Sequence, residues 1–212
     1  MAYTIQFYTT TWVKEHTVDL DSTIFDPEQI NLTLVQEFVQ LQRANRRQSP
    51  AHTKDRWEVN FSNRKLFKQK WTWQARPGNL KSPLRKQWWA VFGPKNLTNW
   101  TKKMTQKSRR RALLSCLLIK LRDDTVVWLT SYDLGIKTKL AVKTLESLQT
   151  SSHTLVIIDT KNPVIEKSFA NIPHVKTITA NYLNPLDVLH AKNLIFVWDA
   201  LTTVTSLFSW DR

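Results

Sequence analysis

Apolar residues recur along this chain in two rhythms, and a long stretch with neither rhythm interrupts them. Tyr3–Thr9 and His16–Leu20 read as two short strands joined by a turn around Thr11–Lys14. A helix is predicted to start near Asp26. Asp26 can cap it, Pro27 suits the first helical position, and Phe25 with Ile30 can form a hydrophobic staple. Ile30, Leu34, Phe38 and Leu41 follow at helical spacing, and the pattern stops at Arg43. It resumes near Met104, where Met104–Arg122 reads as a helix with a basic first half and an apolar second half. Strands and helices then alternate. Thr125–Thr130, Thr154–Asp159, Val175–Thr179 and Leu194–Val197 are expected as strands. Lys137–Leu148, Pro163–Ala170, Pro185–Ala191 (capped by Asn184) and Ala200–Phe208 are expected as helices. Such alternation predicts an α/β fold: three α/β/α layers around a mainly parallel sheet of about four strands. The expected organisation is one domain over residues 1–212, with residues 43–103 inserted after the first helix as an extended loop.

Charge sets that insertion apart. From Arg43 to Arg111 the chain holds 20 Lys and Arg against two acids, Asp55 and Glu58, a net +18. The remainder carries 11 basic and 15 acidic residues, a net −4, so the whole formal charge of +14 comes from one third of the molecule. Cations this dense repel one another unless a polyanion lies against them, and nucleic-acid phosphate is the natural counter-surface. In Arg64–Lys70 four of the seven positions are cationic, and an extended backbone turns successive side chains to opposite sides. A strip of this kind can meet phosphates on two faces, as a crevice between RNA helices requires.

Tryptophan and glycine usage is anomalous. The chain has ten Trp and three Gly, whereas average usage gives about 15 Gly at this length. Six of the ten, Trp57, Trp71, Trp73, Trp88, Trp89 and Trp100, fall in the basic segment, where loops call for Gly. Two readings are open: a Trp-rich RNA binder that stacks bases, or glycine codons written as tryptophan, since some lineages read UGA as glycine.

Little points to catalysis. Cys116 is the only cysteine and sits in an apolar run, so a buried thiol is expected and no intrachain disulfide can form. His16, His52, His153, His174 and His190 lack zinc-ligand spacing, and neither phosphate-binding glycine motif is present. Asp159, at a strand end, is expected to cap the next turn. No apolar run of membrane-spanning length and no signal-peptide pattern is seen, so an intracellular, soluble protein without cofactor, metal or small-molecule substrate is expected.

Several segments are more specific. Lys68-Gln69-Lys70-Trp71-Thr72-Trp73-Gln74-Ala75-Arg76 resembles the K/R-Q-K-G-T-G-x-A-R loop of large-ribosomal-subunit protein four, the bacterial-type L-four family. Leu80–Pro83 followed by Gln87–Pro94 resembles its I-x-S-P … G-G-G-x-x-F-G-P segment. Arg47-Gln48, Lys54–Val59, Lys137-Thr138-Lys139 and Ala170–Pro173 resemble further stretches in the same order, across nearly the whole chain. Trp57, Trp71, Trp73, Trp88 and Trp89 stand where the family pattern has Gly. Ser49, Leu66 and Gln74 also depart from it, standing where Gly, Pro and Arg are usual.

The resemblance implies a structural, non-enzymatic role in the cytoplasmic ribosome, in subunit assembly and translation. The implied partners are large-subunit rRNA, neighbouring large-subunit proteins and the nascent polypeptide, with no membrane. It implies rRNA contacts by Arg43, Arg46, Arg47, Lys54, Arg56, Arg64, Lys65, Lys68, Lys70, Arg76, Lys81, Arg85 and Lys86. Lys102, Lys103, Lys107, Arg109, Arg110 and Arg111 continue that surface. It also implies a loop tip at Phe67, Gln69, Lys70, Trp71, Thr72 and Trp73 lining the peptide exit tunnel. A nuclease with a basic substrate arm and a free RNA chaperone are the competing readings, and the first would need clustered carboxylates that the sequence does not display.

Overall fold

The computed structural model describes residues 3–82, 85, 90–132, 135–150, 153–197 and 199–208. The chain divides into two compact units, one of residues 1–43 with 103–212 and one of residues 44–102.

The first unit is built on a single sheet. Its strands are β1 (Thr4–Tyr8), β2 (Lys14–Asp19), β3 (Val126–Leu129), β4 (Thr154–Ile158), β5 (Val175–Thr179) and β6 (Asn193–Val197). Their order is β2-β1-β3-β6-β4-β5. Strands β3, β6, β4 and β5 pair in parallel. The N-terminal hairpin β1–β2 is antiparallel and adds to their edge through a parallel β1–β3 pairing, Phe7 opposite Trp128. The sheet therefore has six strands where about four were expected, because the hairpin joins it.

Among the described residues, six α-helices accompany the sheet: α1 (Leu32–Arg46), α2 (Gln106–Arg122), α3 (Thr138–Ser147), α4 (Pro163–Phe169), α5 (Pro185–His190) and α6 (Asp199–Phe208). Side chains of β4 alternate between two cores. Leu155 and Ile157 join residues of α1, α2, α5 and α6, while Val156 and Ile158 join residues of α3 and α4. Burial on both faces explains why β4 is apolar at every position after Thr154. Cys116 is a free buried thiol, and burial pushes its pKa up to about 12.

Caps set the helix starts. Asn162 and Asn184 accept backbone N–H bonds from Val164 and Asp187, each just before a Pro at the first helical position. The single helix expected from Asp26 is instead two pieces. Asp26 caps a short 3-10 turn, Pro27–Gln29, which ends at an extended Ile30. Asn31 then caps a fresh start by accepting from Leu34 N–H at 3.1 Å. Asn31 is also held by Ser115 of α2, whose hydroxyl accepts its N–H at 3.1 Å. A local cap supported by a distant partner thus outcompetes the helical rhythm.

Three histidines meet: His153 just before β4, His174 just before β5, and His190 at the end of α5. His153 lies 4.6 Å from His174 and 5.3 Å from His190, ring centre to ring centre, with both pairs edge to face. Burial, then the two neighbouring rings and Lys192, push the His153 pKa below its usual value. A histidine with a depressed folded-state pKa takes up its proton more readily when unfolded, so stability is lost as pH falls below about 6.5. The melting temperature is expected to drop between about pH 7.5 and about pH 5.5, and His153→Gln is expected to flatten that drop. Equal pH profiles for the two proteins would contradict the assignment.

Candidate nucleic-acid interface

Among its described residues the second unit has no helix or strand beyond the end of α1; contacts between its outgoing and returning segments hold it together. Nearest the ends, Asn45 Nδ2 donates to the Lys102 carbonyl at 3.3 Å, and Lys102 N–H donates to Asn45 Oδ1 at 2.9 Å. The Arg47 guanidinium lies 3.6 Å from the centre of the Trp100 ring. Further along, Thr53 N–H donates to the Pro94 carbonyl at 2.9 Å. Beyond that, Arg56 donates to Asn79 at 3.4 Å, and Leu66 N–H donates to the Gly78 carbonyl at 3.2 Å. This last bond closes off Phe67–Pro77 as the loop's far turn.

The two acids of the unit serve this closure. Lys95 Nζ lies 2.8 Å from Asp55 and 3.2 Å from Glu58, and donates to the Thr53 carbonyl at 3.0 Å. Glu58 also accepts from Asp55 N–H at 2.9 Å and lies 3.2 Å from His52. The Asp55 amide, followed by Lys95, holds the Glu58 carboxyl below its usual pKa, and Asp55 foremost raises that of Lys95. Lys95 was absent from the expected contact residues, and the structure gives it an internal task. Sequence spacing carried no hint of this, because its partners lie 37 and 40 residues upstream.

With Asp55 and Glu58 turned to Lys95, the other described cations of the unit, Lys81 apart, are exposed. Arg47, Lys54, Arg56, Arg64, Lys65, Lys68, Lys70, Arg76, Arg85 and Lys102 are exposed, and Lys81 is half-buried. Lys86, Trp88 and Trp89 lie outside the described residues. At the far turn, Phe67, Gln69, Lys70, Trp71 and Trp73 are exposed and Thr72 is half-buried. Arg46, at the end of α1, is exposed too; on the first unit Arg43, and Lys103, Lys107, Arg109 and Arg111 around the start of α2, are exposed, with Arg110 half-buried. Helix α2 has no acid in its first turn, so basic side chains face the positive end of its dipole. That arrangement is unfavourable alone and is relieved by an anion.

Gly93 stands where a Cβ would overlap the Thr53 hydroxyl oxygen. Gly93→Ala is expected to open the Thr53–Pro94 contact and speed proteolytic cleavage of residues 44–102, with melting of the α/β unit unchanged. Cleavage at the parent rate would show that the contact is dispensable.

Among the described residues, no group of three or more His, Cys, Asp or Glu is arranged to hold a metal ion. No described helix is long and apolar enough to cross a membrane.

A family model described as the ribosomal protein L4/L1 family matches residues 18–207. The chain belongs to that family. Three relatives, each called "Large ribosomal subunit protein uL4", illustrate the likeness. That of Synechococcus sp. (strain CC9902) is 38% identical over 182 residues, spanning 84% of this chain and 85% of the relative. That of Dehalococcoides mccartyi (strain ATCC BAA-2266 / KCTC 15142 / 195) is 38% identical over 180 residues, with 84% and 85% covered. That of Desulforudis audaxviator (strain MP104C) is 34% identical over 193 residues, with 91% and 92% covered. The L4/L1 proteins are structural ribosomal proteins and not enzymes. In this L4/L1 chain the Lys95 cluster ties the outgoing and returning segments of residues 44–102 together.

Proposed function

We propose that the chain is a structural constituent of the large ribosomal subunit in the cytoplasm, as the names of its relatives suggest. It binds large-subunit rRNA through residues 43–103 and the basic start of α2, touches neighbouring large-subunit proteins, and acts in assembly and translation. The exposed cations named above, with Lys86, meet phosphate. The far turn, Phe67 to Trp73, lines the nascent-peptide exit tunnel and touches the growing chain.

The observation that carries this reading is the disposition of charge in residues 44–102. The unit's two carboxylates face one lysine, and the remaining cations are displayed along an extended double segment. An extended cationic segment suits a path between RNA helices, where phosphates approach from several sides. Two halves of the reading are tested separately. Sedimentation of native ribosomes is expected to place the chain in the large subunit, and its absence there would overturn the assignment. Crosslinking from residue 70 is expected to capture nascent peptide on translating ribosomes. Crosslinks to rRNA alone would withdraw the tunnel placement.

A further inference from the structure

Seven residues other than glycine have positive φ among the described residues: Trp12, Trp71, Trp73, Phe92, Asp124, Gln149 and His174. Asp124 and Gln149 directly follow the caps of α2 and α3, where one left-handed residue commonly ends a helix. Asp and His are also among the residue types that tolerate this region. A bulky aromatic is a genuine outlier there; of the four that remain, only Trp can stand for a recoded UGA codon, which leaves Phe92, at φ 60°, a true left-handed aromatic.

The surroundings of Trp12 show what its position requires. Trp12 N–H donates to the Thr9 carbonyl at 3.0 Å, and Thr9 N–H donates to the Val13 carbonyl at 2.9 Å. These bonds make the β1–β2 connection a three-residue hairpin loop whose last residue, Trp12 at φ 62°, is left-handed. That is the loop class in which a tight turn is followed by a glycine-type bulge. Trp71 and Trp73, at φ 68° and 49°, place two more left-handed residues in the far turn of the loop. Neither gains packing in return, since Trp71 is 91% and Trp73 100% exposed. Trp128 behaves oppositely. It lies in β3, is 5% exposed, and stacks on Phe196 at 4.3 Å between ring centres.

We propose that residues 12, 71 and 73 are glycine in the native protein, encoded by UGA codons that the cell reads as glycine, and that Trp128 is a true tryptophan. The inference stands on backbone conformation and burial and holds whether or not the chain is ribosomal. Residue 12 belongs to none of the segments that carry the family resemblance, so it is an independent witness. One consequence is a partner of defined chemistry: a glycine-accepting transfer RNA whose anticodon pairs with UGA. Another is a slimmer loop turn, in which two residues without side chains let the backbone approach RNA closely.

The test is the gene sequence together with peptide mass spectrometry of the full chain purified from its own cells. UGA codons and glycine masses at 12, 71 and 73, with UGG and a tryptophan mass at 128, are expected. Tryptophan masses at 12, 71 and 73 would overturn the proposal whatever the codons. A glycine mass at 128 would overturn the link between conformation and residue identity. Loss of the ribosomal reading would leave these masses unaffected, so the two failures are distinguishable.

Discussion

Replacing Arg64, Lys65, Lys68, Lys70 and Arg76 together with alanine is expected to weaken binding to large-subunit rRNA by about 10³-fold at ~0.2 M salt. The slope of log affinity against log salt is expected to become shallower by about 4, because each neutralised phosphate contributes roughly 0.7 to 0.9 to it. All five side chains are exposed and none belongs to either core. Thermal unfolding of the α/β unit should therefore match that of the parent chain. The charge-retaining variant, with Arg64 and Arg76 changed to lysine, is expected to keep the slope and lose only what guanidinium geometry adds. An unaltered slope in the alanine variant would show that these cations face water in the complex. Filter-binding titrations at four or five salt concentrations would decide, and melting curves would exclude misfolding as the cause.

What was legible in the chain follows the range of the interaction. Strand β4 could be read because five consecutive residues, Thr154–Ile158, are buried, which leaves an uninterrupted apolar run. Helix α5 could be read from its Asn184-Pro185 pair, since a cap and the N–H that donates to it lie within three residues; α4 starts in the same way at Asn162. The division at Asn31 could not, because Ser115 stabilises it from 84 residues away. The attachment of the N-terminal hairpin to β3 was hidden for the same reason: Phe7 and Trp128 are neighbours only in space. The charge of the loop was plain from composition, and the path of the loop was not. Its closure rests on single contacts such as Thr53 with Pro94, which follow neither helical nor strand periodicity. The three histidines showed no ligand spacing in the chain and came together only through the order of β4, β5 and β6.

The same substitution, tryptophan to glycine, is expected to have very different effects at two sites of one folded unit. Trp128 is enclosed by Phe7 and Phe196, with ring centres at 5.8 and 4.3 Å, inside the larger core. Removing a buried Trp costs about 3 to 5 kcal/mol, and a glycine inside a strand adds about 0.5 to 1 kcal/mol. Trp128→Gly should therefore destabilise by roughly 4 to 6 kcal/mol, much of a typical domain's stability of about 5 to 15 kcal/mol. At Trp12 the contributions oppose one another. Relief of the left-handed conformation returns about 1 to 2 kcal/mol. Loss of the stack on Tyr8, at 4.2 Å between ring centres, takes back about 0.5 to 1.5 kcal/mol. The greater freedom of unfolded glycine takes a further 0.5 to 1 kcal/mol or so. Trp12→Gly should thus lie within about 1 kcal/mol of neutral, since the three contributions nearly cancel. Urea titrations of both variants against a chain made with tryptophan at positions 12 and 128 would read the contrast as a shift in midpoint at constant slope. A small shift for Trp128→Gly would mean that the core closes without the indole. A large loss for Trp12→Gly would mean that the hairpin depends on the side chain more than on a backbone free to turn left-handed.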